Sequence, residues 1–254
     1  MDQKDFIKNY DFKFKKKFGQ NFLTDENVLT NIVKCAEIDK NTLVVEIGPG
    51  AGALTKKLVK VAKRVVAYEI DETLKPILDT IDADIIYGDF LKRNIKEDLS
   101  KYEYDKLYVV ANLPYYITTP ILTRIIECGV PVDKIVIMVQ KEVGDRLSSK
   151  PCSKDYNSLS IFVSYYYDVK KMFVVSKNVF VPKPNVDSIV ISLSKKNTKY
   201  NVNNEELFFK LVRDSFSQKR KTIKNNLKNY DFDKIKGMVY EYYNKTENQL
   251  YNEG

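Results

Sequence analysis

From residue 43 onward the chain alternates short, almost wholly apolar runs with longer segments of mixed character. The apolar runs Leu43–Ile47, Val65–Ile70, Asp84–Tyr87, Leu107–Ala111 and Ile135–Val139 are rich in Val and Ile. Continuous apolarity, as opposed to strict alternation, predicts strands covered on both faces. The stretches between them, such as Leu54–Val61 and Pro120–Glu127, carry helical spacing. Strand and helix in alternation predict an α/β fold on a parallel, doubly wound sheet. Two further strands, Leu159–Tyr166 and Ser188–Leu193, are expected to complete it.

The pattern changes after residue 193. Residues 194–204 are polar and rich in Asn and Lys, as in a linker. Leu207, Phe208, Leu211, Val212, Ser215 and Phe216 then recur at three-and-four spacing, which predicts an amphipathic helix. A second helix is expected over Lys219–Leu227 and a third from Lys234. The expected organisation is therefore an α/β body over residues 1–193, opening with a basic arm at 1–20, and a small C-terminal helical domain over 194–254.

Composition narrows the chemistry. The 254 residues contain no histidine. This excludes Ser-His-Asp triads, HExxH zinc sites and histidine general bases together, and no metal is expected. Cys35, Cys128 and Cys152 lie far apart and match no CxxC spacing. A reducing, cytoplasmic location is the expectation. No apolar run is long enough to span a bilayer, and residues 1–20 lack a signal-peptide core, so no membrane partner is expected.

The net charge of +8 is unevenly placed. Residues 1–20 carry +3, residues 21–194 balance to zero, and residues 195–228 carry +7. Basic ends on a neutral body suit a polyphosphate partner, although a solvated lysine-rich surface has the same composition.

Three successive strand ends carry candidate binding groups. Gly48-Pro49-Gly50-Ala51-Gly52 closes the first strand and opens a helix, where backbone N–H groups can approach a ligand closely. Gly48, Gly50 and Ala53 also satisfy a relaxed dinucleotide pattern, leaving a nicotinamide oxidoreductase open at this point. Glu69, near the end of the second strand, can accept both hydroxyls of a ribose. Asp89, after the third, can accept from an adenine amino group. Adenosine with a short tail fits these groups better than a dinucleotide.

After the fourth strand comes Asn112-Leu113-Pro114-Tyr115. The Asn112 side-chain oxygen and the Leu113 carbonyl, exposed by a rigid proline turn, can accept the two hydrogens of an exocyclic amine. Tyr115 offers a face for a base. Such a site activates an adenine N6 mainly by positioning and requires no histidine.

Together these residues resemble the KsgA family of S-adenosylmethionine-dependent ribosomal RNA adenine dimethyltransferases. The likeness runs from Lys16 to about Leu227 and includes Phe18-Gly19-Gln20-Asn21-Phe22-Leu23, Gln140-Lys141-Glu142-Val143, Lys154-Asp155-Tyr156-Asn157-Ser158-Leu159-Ser160 and Phe180-Val181-Pro182-Lys183-Pro184-Asn185-Val186-Asp187-Ser188. The resemblance implies a Rossmann-like class I methyltransferase sheet with S-adenosylmethionine as methyl donor. It implies that Asn21, Leu23, Gly48, Gly50, Glu69, Asp89 and Asn112 line the cofactor site. It also implies that Asn112, Leu113, Pro114 and Tyr115 receive the target adenine, with Phe180 stacked opposite Tyr115.

Lys219, Arg220, Lys221 and Lys224 would face RNA. The implied substrate is a pair of adjacent adenines in the 3′-terminal hairpin of 16S rRNA in a pre-30S particle, modified by a monomer. An Erm-like enzyme acting on 23S rRNA, and an assembly checkpoint with secondary catalysis, are the competing expectations. Residues 240–254 lack the Arg-Ala-Glu stretch of KsgA-like chains, so a truncated or diverged C-terminus is expected.

Overall fold

The computed structural model describes residues 21–197 and 202–236. The basic arm and the C-terminal stretch from residue 240 lie outside the described residues.

Nine strands are described: β1 (Phe22–Leu23), β2 (Thr42–Ile47), β3 (Arg64–Glu69), β4 (Asp84–Tyr87), β5 (Lys106–Asn112), β6 (Lys134–Gln140), β7 (Tyr167–Val175), β8 (Phe180–Val181) and β9 (Ser188–Lys195). Seven form one sheet in the order β4-β3-β2-β5-β6-β9-β7. The strands from β2 to β6 pair in parallel, and β9 runs antiparallel between β6 and β7. The short β1 and β8 pair separately, antiparallel, with Leu23 opposite Phe180.

The apolar runs follow from burial on both faces. Leu43, Val45 and Ile47 point to one side, where Ile121, Leu122 and Ile125 of the helix Thr118–Glu127 cover them. Val44 points to the other, against Leu29 and Ile32 of the helix Glu26–Ala36 and Leu58 of Thr55–Val61. With successive side chains alternating between two buried faces, most positions are apolar, and a polar one such as Glu46 stands out. All five parallel strands expected from the sequence are present, with no boundary shifted by more than one residue.

Two expectations need correction. Leu159–Tyr166 is not a strand but most of the helix Ser158–Tyr166, started by an Asn157–Ser160 capping box. This helix lies between the sheet and a further helix, Glu205–Ser215, has no exposed residue, and apart from its tyrosine hydroxyls carries only three short serines as polar side chains. The 3.6-residue period is therefore blurred and its content reads as a strand. The sheet's actual edge is β7, where exposed Lys170 and Lys171 blunt a strand open to pairing. The linker also starts later than expected, because β9 runs through Lys195.

The helix Glu205–Ser215 is capped by Asn204 and buries Phe209 and Val212. Phe208 and Phe209 pack edge-on and stacked against Phe162, Tyr165 and Tyr166, and both tyrosine hydroxyls donate to the Glu205 carboxylate at 3.0 and 3.1 Å. The second helix is shorter than expected, only Ile223–Asn226, with Lys219 and Arg220 in the turn before it. A third helical stretch covers 232–236. No helix among the described residues is long and apolar enough to cross a membrane.

Candidate active site

Strand order reverses between β2 and β5, and their C-terminal ends open a crevice where loops diverge to opposite faces. Ligands of open α/β sheets bind in such crevices. Here it is a cavity of about 1080 Å³, counted out into its open mouth. Asn21, Leu23, Gly48, Gly50, Glu69, Asp89, Asn112, Leu113, Pro114 and Tyr115 all line it.

The glycine loop follows β2 directly. Gly48 and Gly50 have φ of +69° and +57°, conformations that L side chains rarely adopt. A Cβ on Gly50 would also lie 2.7 Å from the Phe22 ring, whereas one on Gly48 would meet nothing within 4 Å. Gly50 thus lets β1 close over the loop.

Glu69 ends β3 and is 4% exposed. Its Oε2 accepts from the Gly50 N–H at 3.1 Å and its Oε1 from the Asp71 N–H at 2.8 Å. Burial dominates those stabilising bonds and pushes the carboxyl up to about 7. Asp89 is one-third exposed, and its Oδ1 accepts from the Leu91 N–H, fixing the carboxylate at the mouth.

Sequence reasoning passed over Glu46. It lies inside the apolar run of β2, is 1% exposed and lines the same cavity, with no hydrogen bond to Oε2. The Thr55 hydroxyl stands near without a well-formed hydrogen bond. Burial, tempered by Thr55 and reinforced by the Glu69 charge, raises the Glu46 carboxyl to about 8. An acid in the middle of a run otherwise fit for a two-faced core was the available signal.

These features fit S-adenosylmethionine. A diol supplies O–H donors that a buried carboxylate such as Glu69 lacks, and a cationic amine would answer the orphaned Glu46 oxygen.

Asn112 ends β5, and its Nδ2 donates to the Asn21 carbonyl at 3.3 Å. A carbonyl can only accept, so this contact fixes the amide orientation and leaves Oδ1 as the acceptor offered to a ligand. The Leu113 N–H donates to Met138 of the neighbouring strand, while the Leu113 carbonyl accepts from no described residue. Two acceptors on adjacent residues thus face one cavity. Tyr115 begins the single 3₁₀ turn Tyr115–Ile117, and its hydroxyl lies 2.6 Å from that of Ser188.

Phe180 departs from expectation. It is 3% exposed, packs in the core with Leu23, Val175 and Val190, and does not line the cavity. Pairing with β1 is the physical reason: alternation along β8 turns Phe180 inward and Val181 outward. Phe180 is not the opposing face of a base clamp in this structure. Tyr116, which the sequence reading did not single out, is 57% exposed at the cavity rim. Lys219, Arg220, Lys221 and Lys224 are exposed on the helical annex and do not line the cavity.

The reversed strand order, the glycine loop at the switch point and the antiparallel β9 define the fold of a class I methyltransferase. The model of the ribosomal RNA adenine dimethylase family matches residues 11–247, and the chain belongs to that family. It is 50% identical over 232 residues to the ribosomal RNA small subunit methyltransferase A of Staphylococcus aureus strains N315 and Newman, covering 88% of this chain and 78% of each relative. A dimethyladenosine transferase from Plasmodium falciparum superimposes with a TM-score of 0.70 at 29% identity, covering 82% of this chain and 74% of that one. The 23S rRNA methyltransferase ErmE shares the fold, with a TM-score of 0.65 at 23% identity over 82% of this chain and 83% of its own.

Proposed function

We propose that this protein is an S-adenosylmethionine-dependent ribosomal RNA adenine N6,N6-dimethyltransferase. Its target is two adjacent adenines in the 3′-terminal hairpin of 16S rRNA. The observation that carries the reading is the pair of free acceptors, Asn112 Oδ1 and the Leu113 carbonyl, beside two buried acids in one crevice.

When bound, S-adenosylmethionine supplies an electrophilic methyl group on a sulfonium. Glu69 would hold the ribose hydroxyls, Glu46 the cationic amine, and Asp89 the adenine amino group at the mouth. Asn112 Oδ1 and the Leu113 carbonyl accept the two N6 hydrogens of the target base and favour the pyramidal nitrogen whose lone pair is free to react. After one methyl transfer a single N–H remains, and one acceptor still orients it. The displaced proton leaves to water through the open mouth. Pro114 keeps the turn rigid, and Tyr115 supports the base, a stacking contact worth about 1–3 kcal/mol. The protein acts chiefly by alignment and preorganised dipoles.

Lys219, Arg220, Lys221 and Lys224 supply a phosphate-facing surface on the helical domain, so that RNA is docked there while one base is extruded into the crevice. The substrate is a pre-30S particle in the cytoplasm, and the enzyme acts as a monomer.

The test is methyl transfer from labelled S-adenosylmethionine, comparing under-methylated 30S particles with protein-free 23S rRNA. Label mapped to the paired adenines of 30S is expected. Label confined to 23S would overturn the substrate assignment in favour of an Erm-like activity, and label in neither would overturn catalysis on RNA.

A further inference from the structure

We infer that Ser188 is a positioning residue for methyl transfer, its hydroxyl tethering Tyr115 as a fixed stacking face for the target base. The inference rests on the proposed role of Tyr115. The two hydroxyl oxygens are 2.6 Å apart, a short and well-formed hydrogen bond.

The two ends of this bond differ in rigidity. Ser188 is fully buried and opens β9, where it lies opposite Gln140 of β6 on one side and Val175 of β7 on the other. The residue before it is fixed as well. The Asp187 carbonyl accepts from the Lys141 N–H at 3.0 Å, and its carboxylate accepts from the Lys177 N–H at 2.9 Å. Tyr115 instead stands on a single 3₁₀ turn at the cavity wall. A ring there, free to turn about two side-chain torsions, would have to be ordered at each encounter with a base. The tether removes that cost in advance.

Two adjacent tyrosines sharpen the contrast. Tyr116 reaches the rim with its ring largely in solvent, and its hydroxyl has no partner among the described residues. Only Tyr115 is tethered. Phe180 is buried in the core, so no ring from β8 braces Tyr115 from across the cavity. The terminal serine of the Phe180–Ser188 segment thereby gains a function: it connects that segment to the Asn112–Tyr115 motif.

The experiment is a double-mutant cycle on methyl transfer to under-methylated 30S particles at saturating cofactor, with Ser188→Ala, Tyr115→Phe and the pair. Each single variant is expected to lower turnover about twofold to tenfold, the worth of one hydrogen bond, with cofactor affinity unchanged. Adding Ser188→Ala to Tyr115→Phe is expected to cost nothing further, and Ser188→Thr, which keeps the hydroxyl, to retain most activity. Tyr115→Phe breaks the bond without touching a buried strand, so the cycle stays readable if Ser188→Ala lowers stability. Equal losses from Ser188→Ala in both backgrounds, or unchanged turnover in both single variants, would overturn the tether. An inactive wild type would instead overturn the proposed methyl transfer on which the role of Tyr115 rests.

Discussion

Cofactor binding should release protons, and the amount can be worked from two buried acids. The Glu69 carboxyl is raised from an ordinary 4.5 to about 7 and the Glu46 carboxyl to about 8, in both cases chiefly by burial. Ribose hydroxyls donating to Glu69 and a cationic amine facing Glu46 both favour the charged carboxylates, so the bound protein holds fewer protons than the free one. Affinity should therefore rise with pH through the range of the two raised values and level off above about 8. One unit below its own midpoint Glu69 is about nine-tenths protonated, so binding at pH 6 should be about tenfold weaker on this account alone. Because the two acids interact, the steps belong to the pair. Calorimetric titration with S-adenosylhomocysteine in two buffers of different ionisation enthalpy gives the proton count directly. The measurement should find one to two protons released near pH 6. Glu69→Gln should weaken binding about tenfold to a hundredfold at pH 8, since its amide sets an N–H against the Gly50 or Asp71 N–H, and should flatten the pH dependence. Constant wild-type affinity between pH 5.5 and 8.5, with no proton release, would exclude Glu69 and Glu46 as carboxylates that ionise on cofactor binding.

Asn112→Ala is expected to reduce turnover by about 10²–10³ while leaving cofactor affinity within a few fold; normal turnover would remove Asn112 as an amine acceptor. Neutralising Lys219, Arg220 and Lys221 together should lower the slope of log K against log salt for RNA by about 2 to 3, read by filter binding across a salt series. Glu46→Gln should abolish tight cofactor binding yet stabilise the free protein by up to about 3 kcal/mol at pH 7. The sign follows from its raised carboxyl: protonation favours the folded state, so the wild type loses stability as pH rises from 4.5 toward 8, and the variant lacks that loss. Urea unfolding at pH 5 and pH 7 should show the two proteins diverging only at the higher pH.

The parallel sheet was readable from the chain because β2, β3 and β6 are buried on both faces, and that condition leaves a nearly continuous apolar run. The same condition hid the helix Ser158–Tyr166, which is enclosed between the sheet and the aromatic face of Glu205–Ser215 and so loses its polar side. Loop glycines and strand-end acids that line the cavity announced themselves through residue type. Glu46 was marked only by its place in an apolar run, and its unmet demand for a donor shows once Oε2 is found buried. Phe180 misled for the opposite reason: an aromatic in a binding-loop pattern has two faces open to it, and only the pairing of Phe180 with Leu23 decides which one it takes.

That pairing also joins parts of the site that are far apart in the chain. Leu23 and Phe180 face one another, the Thr24 N–H donates to the Val179 carbonyl at 3.0 Å, and the Asn21 carbonyl receives the Asn112 amide. At the other end of the same loop, Ser188 meets Tyr115. The cofactor-side strand, the amine-accepting turn and the loop from Phe180 to Ser188 therefore form one hydrogen-bonded circuit around the cavity mouth. A shift of β1 would move the Asn21 carbonyl, and with it the Asn112 amide proposed to orient the amine. Cofactor and base must be aligned at once, and one circuit of backbone and side-chain contacts holds both halves of the proposed site. Perturbing β8 should therefore disturb turnover even though Phe180 does not line the cavity.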